Sequence, residues 1–148
     1  MSLDDKDIKK IAQETARVIE ATKKPKLTLE LTGSLDLDGR ITATTTTQEL
    51  VFPECPEDEL WEIFIVNFSN NANISSGSGI IAKRYKATEG RDFQLSYQAN
   101  PSANVIYGLT TGFDVFPSQV VVIKLSGNAV GDILQAWITG RKYKLIRQ

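Results

Sequence analysis

The sequence predicts a mainly β fold: an antiparallel β-sandwich, jelly-roll-like, preceded by one N-terminal amphipathic α-helix. Three observations carry that reading. Apolar residues recur with helical spacing only ahead of Pro25, two-residue alternation starts directly after it, and the remaining chain is a series of short apolar runs separated by proline, glycine and asparagine turns. The expected organisation is a helical arm over residues 1–24 and one sandwich domain over residues 25–148.

Ile8, Ile11, Ala12, Thr15, Val18, Ile19 and Thr22 fall at i, i+3, i+4 and i+7, which places them on one stripe of a helix. Ser2 and Asp5 stand at capping-box spacing, with Asp in place of the preferred Glu or Gln. Asp4, Asp5 and Asp7 oppose the positive end of the helix dipole, and Lys23 and Lys24 the negative end. Pro25 stops the helix. About 21 residues make a helix of roughly 31 Å, which is marginal in water unless something covers the stripe. Ile8, Ile11, Thr15, Val18 and Thr22 also follow the alternating three- and four-residue steps of a coiled-coil seam. The helix therefore packs either on its own sandwich or in a bundle between subunits.

Beyond Pro25, Leu27, Leu29 and Leu31 alternate with Thr28, Glu30 and Thr32, the pattern of a half-buried strand. Asp38-Gly39 reads as a hairpin turn, and a three-residue loop from Asp38 to Arg40 would pair Leu37 with Ile41. The polar β-branched run Thr44 to Thr47 suits an exposed or inter-subunit strand. Further strands are expected at 60–68, 79–85, 93–97, 105–109, 119–125, 132–139 and 142–146. No second helix of comparable strength follows, so a parallel α/β fold lacks its crossovers.

With 148 residues, 41% hydrophobic and 24% charged, the chain has the composition of one soluble globular domain that buries a core without staples. It contains no histidine, one cysteine, and 17 basic against 18 acidic residues. Histidine catalysis, a Cys/His zinc site and a strongly basic nucleic-acid footprint are thereby set aside. A lone Cys55 cannot form an internal disulfide, the charged first 24 residues lack the apolar core of a secretory signal, and no apolar run is long enough to span a bilayer. Synthesis in a cytoplasm is expected, with no membrane partner and no cofactor or metal. The sequons at Asn67 and Asn73 then read as strand-end and loop residues.

The acids Glu54, Glu57, Asp58 and Glu59 could supply paired carboxylates, but in a proline-flanked turn they read as a solvated loop. Asp36-Leu37-Asp38-Gly39 lacks the further ligands of a calcium loop. Ser76-Gly77-Ser78-Gly79 has neither the Lys-Ser/Thr nor the helix of a phosphate loop and reads as a flexible hairpin tip. Arg141, Lys142, Lys144 and Arg147 make the last strand basic, which reads as edge protection or a subunit contact rather than a nucleic-acid surface. Trp61 alternates with Ile63 and Ile65, and Trp137 with Ile133, so both are expected to face inward. Tyr85, Tyr97 and Tyr107 stay open as rings on which sugars could stack.

Thr44 to Thr47, Val51-Phe52-Pro53 and Leu60-Trp61-Glu62-Ile63-Phe64-Ile65-Val66-Asn67 resemble the opening of small β-sandwich proteins from tailed bacteriophage particles. Leu125 with Gly131-Asp132-Ile133-Leu134-Gln135-Ala136-Trp137 is similar to the Gly-Asp turn and late strand of that group. The resemblance covers about two-thirds of the chain, from Ile41 to Gly140. The acidic segment and the long helix depart from it. It implies a non-enzymatic virion component, such as a capsid decoration, head-fibre, neck or tail-accessory protein. Such a protein would be a homo-oligomer, a trimer by analogy, contacting other virion proteins. The expected assembly interface is Ile8, Ile11, Thr15, Val18, Ile19 and Thr22. The alternative is a carbohydrate-binding module or host-recognition lectin using Tyr85, Tyr97 or Tyr107.

Overall fold

A computed structural model describes residues 5–22, 27–88 and 91–147. The chain divides into two compact units, Met1–Thr28 with Arg147–Gln148, and Leu29–Ile146. The first contains helix α1 (Asp5–Thr22), which carries Asp5 and Asp7 in its first turn. The expected cap at Ser2 and the terminal Lys23 and Lys24 lie outside the described residues.

Among the described residues nine strands follow: β1 (Leu27–Thr42), β2 (Thr47–Val51), β3 (Glu59–Asn70), β4 (Ser78–Tyr85), β5 (Asp92–Ala99), β6 (Tyr107–Leu109), β7 (Phe113–Val115), β8 (Gln119–Ser126) and β9 (Ile133–Arg147). One sheet has the order β1-β9-β3-β6, with β7 also on β3, and the other has the order β2-β8-β4-β5. The strand pairings whose register is defined are all antiparallel. Taking β6 and β7 as one interrupted strand, the chain alternates between two four-strand layers in the interlocked Greek-key order of a jelly roll. The expected antiparallel sandwich with one helix ahead of it is the fold.

The core lies where the layers overlap. Leu35, Ile63, Val66, Phe68, Leu134 and Ile138 from the first sheet meet Ile81, Ile123 and Leu125 from the second, all at 2% exposure or less. Each such side chain stabilises the fold by roughly 1.5–3 kcal/mol. Trp61 joins this core as expected, donating its indole N–H to Glu59 Oε2 at 2.9 Å.

Five local expectations are corrected. The Asp38-Gly39 turn does not form, because alternation continues through it: Leu35, Leu37, Gly39 and Ile41 face in while Asp36, Asp38 and Arg40 face out. Gly39 packs closely under Leu50, whose side chain lies 3.2 Å from where a Cβ would stand. The two late strands are one, β9, which passes Glu62 of β3 so closely that a Cβ on Gly140 would be 2.1 Å from the Glu62 carbonyl oxygen. β9 lies between β1 and β3, so its basic residues do not guard an edge. Trp137 faces outward and is 38% exposed, since Leu134, Ala136 and Ile138 take the inward positions. Residues 71–77 cross from one sheet to the other rather than closing a hairpin, and the Gly77 N–H is held by Asn100 Oδ1 at 3.0 Å.

That end of the sandwich is stitched by asparagines. Asn71 Oδ1 accepts from the Ile133 N–H (2.8 Å), Asn73 Oδ1 from the Ala103 N–H (2.7 Å), and Asn128 Nδ2 donates to the Thr45 carbonyl (2.9 Å). Loop backbone that would otherwise lack partners is satisfied by short amide side chains. Replacing Gly140 with Ala forces β9 away from β3 and is expected to lower unfolding free energy by about 3 kcal/mol, read as a shift of the urea midpoint at unchanged slope. An unshifted midpoint would show that the strands separate without cost.

Candidate functional site

The two layers differ in length. At about 3.4 Å per residue, the 16 residues of β1 span roughly 54 Å, against roughly 17 Å for the five of β2. Residues of β1 before Leu35 are exposed, and Leu29 and Leu31, read from the sequence as half-buried, are 49% and 56% exposed. Pairing continues along this extension: the Thr32 hydroxyl donates to the Lys142 carbonyl at 3.2 Å, and the Leu145 N–H donates to the Asp58 carbonyl at 2.7 Å. The extension is thus held to β9 while its leucines are left uncovered.

On α1, Ile8 and Ile11 are exposed. The side chains of Thr15, Val18, Ile19 and Thr22 lie outside the described residues. The tyrosines do not share one platform. Tyr97 is opposite Ile80, Tyr85 opposite Gln119, and successive positions along β4 alternate faces, so the two rings project from opposite sides of one sheet. Tyr107 belongs to the other sheet, stacks near Phe68 with centroids 5.7 Å apart, and accepts a hydrogen bond from the Ser102 N–H at 2.8 Å.

The acidic loop is tied into the structure rather than gathered around a cavity. Glu54 Oε1 accepts from the Ala87 N–H (3.2 Å), and Glu59 holds Trp61. Cys55 is buried, and desolvation, reinforced by the charge of Glu59, pushes its thiol up to about 12. Among the described residues, no group of three or more His, Cys, Asp or Glu could hold a metal ion, and no helix is long and apolar enough to cross a membrane.

The main polar cluster was not visible in the sequence. On the outer face of the second sheet, Arg84 of β4 uses all five of its N–H donors. Its Nε and Nη2 reach the two oxygens of Asp92 on β5 (2.6 and 3.2 Å), Nη1 and Nη2 reach those of Glu49 on β2 (3.1 and 2.9 Å), and Nη1 also reaches the Ala87 carbonyl (3.1 Å). Lys124 of β8 adds a contact to Asp92 at 2.8 Å. Two cations thereby neutralise two carboxylates, with Ala82, Val120 and Val122 fully buried on the same face. Only strand order unites these residues; Glu49 and Lys124 are separated by half the chain but stand opposite each other in register.

The sequence matches no protein-family model and no curated protein. The fold is similar to a chain in the structure of infectious bursal disease virus, Gx strain, with 10% identity over 82% of this chain and 38% of that one, and a TM-score of 0.31. It is also similar to the enzymatically active domain of tailspike protein 4 of bacteriophage CBA120, with 16% identity over 81% of this chain and 19% of that one, and a TM-score of 0.30. Both neighbours are viral, and this chain spans less than two-fifths of either. At such TM-scores the likeness does not assign a role.

Hydrogen bonds from Arg84, aided by Lys124, hold the Asp92 carboxyl down to about 2 from an ordinary 3.8. A depressed acid stabilises the fold fully above its unfolded value, and that contribution disappears as pH falls through the folded one. Acid titration is therefore expected to remove on the order of 2 kcal/mol between about pH 4 and pH 2. Asp92→Asn should lack that step and already be less stable at neutral pH; an identical acid profile in both proteins would contradict the assignment. Alkylation of Cys55 at pH 8 should be slow in the folded protein and become fast in denaturant, since the thiol is both covered and protonated.

Proposed function

We propose that this chain is a non-enzymatic structural component of a bacteriophage particle, of the capsid-decoration, head-fibre, neck or tail-accessory kind. It assembles as a homo-oligomer through its N-terminal helix and the edges of its sandwich. The observation that carries the reading is the uncovered extension of the first sheet. A hydrogen-bonded pair of strands that leaves Leu29 and Leu31 half exposed is costly for an isolated molecule and useful in an assembly. Phe93 on the edge strand β5, 66% exposed, adds a second apolar contact at the opposite side of the sandwich. The exposed Ile8 and Ile11 of α1 fit the same use.

Three further points support the reading. The jelly roll is a common shell-building block of viral particles, although a fold alone does not specify a role. The sequence resembles small virion sandwiches over about two-thirds of its length. The conspicuous charges are committed to structural bonds: Arg84, Glu49 and Asp92 hold one another, and Glu54 and Glu59 hold neighbouring groups. Three-fold symmetry is the first expectation, with the particle as its location and other virion proteins as partners.

The test is native mass spectrometry of the full chain and of a variant lacking residues 1–24. The full chain is expected to be oligomeric, and the variant to lose mass to a monomer while keeping its β-type circular dichroism and cooperative melting. An oligomer that survives the truncation unchanged would remove the helix from the interface. A Leu29→Lys, Leu31→Lys double variant is expected to weaken association by the apolar area withdrawn, about 1.5–3 kcal/mol per leucine if each is fully covered.

A further inference from the structure

The outer face of the first sheet differs from that of the second, where Arg84 and its partners lie over Ala82, Val120 and Val122. Alternation along β9 puts Trp137, Thr139 and Arg141 outward, and the same alternation along β1 puts Asp36 and Asp38 outward on the neighbouring strand. Asp36, Asp38, Trp137 and Thr139 line one open groove of about 260 Å³. On the other flank of the indole, Asn67 of β3 stands directly opposite Trp137. A bulge in β3 between Ile63 and Ile65 leaves Phe64 partly exposed, and the Arg141 guanidinium lies over its ring, 5.1 Å from the centroid. From Trp137 to Arg141 the face runs ~13 Å along the strand.

We propose that this face binds a short neutral oligosaccharide, with Trp137 as the stacking platform and Asp36, Asp38 and Asn67 as the polar flanks. A sugar ring offers an apolar C–H face and a rim of hydroxyls. The groove offers an amphipathic ring between carboxylates that accept hydrogen bonds and a carboxamide that both donates and accepts. Charge selects the ligand class. Asp36 and Asp38 are joined on the outward positions by Glu62, opposite Arg141, and by Asp114, opposite Glu62, so the acids outnumber Arg40 and Arg141 and the face repels an anionic glycan. A basic peptide is the competing ligand, which the lysine-rich probe tests. Its length admits several rings, so affinity grows with chain length beyond a monosaccharide. This role is compatible with the proposed place in a particle and independent of it.

The two tryptophans give a direct readout. In the full-length protein labelled with nitrogen-15, the exposed Trp137 and buried Trp61 indoles give separate N–H resonances, assigned through Trp137→Phe. Maltohexaose, cellohexaose and chitohexaose are titrated to millimolar concentration, with a heparin hexasaccharide and a lysine-rich peptide as charged probes. The expected result is that at least one neutral hexasaccharide moves the Trp137 resonance and not that of Trp61, with little dependence on salt. Trp137→Ala is expected to weaken that binding about tenfold or more, the equivalent of one stacking contact of roughly 1.4 kcal/mol. Asp36→Asn with Asp38→Asn should weaken it several-fold without changing the melting temperature. A Trp137 resonance unmoved by all three neutral sugars overturns the proposal, as does a response confined to the charged probes and abolished by salt. Neither result bears on the virion reading, which the native mass tests separately.

Discussion

A two-layer sandwich buries only the area over which its layers overlap, and here the layers are unequal. β1, β9 and β3 have 16, 15 and 12 residues, whereas no strand of the other sheet exceeds eight. The core begins at Leu35 because that is where the shorter layer begins to cover the longer one. The leucines ahead of it keep the strand pattern without the burial that normally goes with it. Hydrogen bonding and hydrophobic burial, which usually coincide in a sheet, are separated along β1.

The same two-layer constraint leaves each sheet with an outer face to satisfy, and the two faces are treated differently. On the shorter sheet, the Arg84 cluster covers that face. A buried guanidinium is tolerable only when its donors are met and its charge is balanced, and the bidentate contacts to Glu49 and Asp92 do both. The bonds also join β2, β4 and β5, which do not all touch one another, with β8 brought in by Lys124. On the longer sheet the outward residues include Trp137, Ile65, Thr139 and Asn67, and Trp137 and Ile65 are each 38% exposed.

Local periodicity made much of the fold legible. Helix α1 is described as Asp5–Thr22, within the arm read over residues 1–24, and β3, β4, β5 and β8 lie within about two residues of the strands read from alternation. Errors arose where a local signal competed with a contact distant in sequence. Asp-Gly is a strong turn signal, yet Leu50 packs against Gly39 and the strand runs on. The gap read between strands at 132–139 and 142–146 holds Gly140, where the β9 backbone runs close against that of β3. In the run from Ile133 to Ile138 both faces carry apolar residues, so alternation alone could not tell which side held Trp137. The Arg84 cluster had no local signature at all, because its partners come from four strands and meet only through sheet order.

Because β1 and β9 are neighbours, the polypeptide enters and leaves the sandwich at the same pole. The opposite pole is formed wholly of internal loops, fastened to one another by Asn71, Asn73, Asn100 and Asn128. The domain is therefore a plug with one wired end and one blank end. Tension applied through the two flanking segments would load β1 against β9 and peel that pair like a zipper, leaving the asparagine-bound pole the last part to come undone.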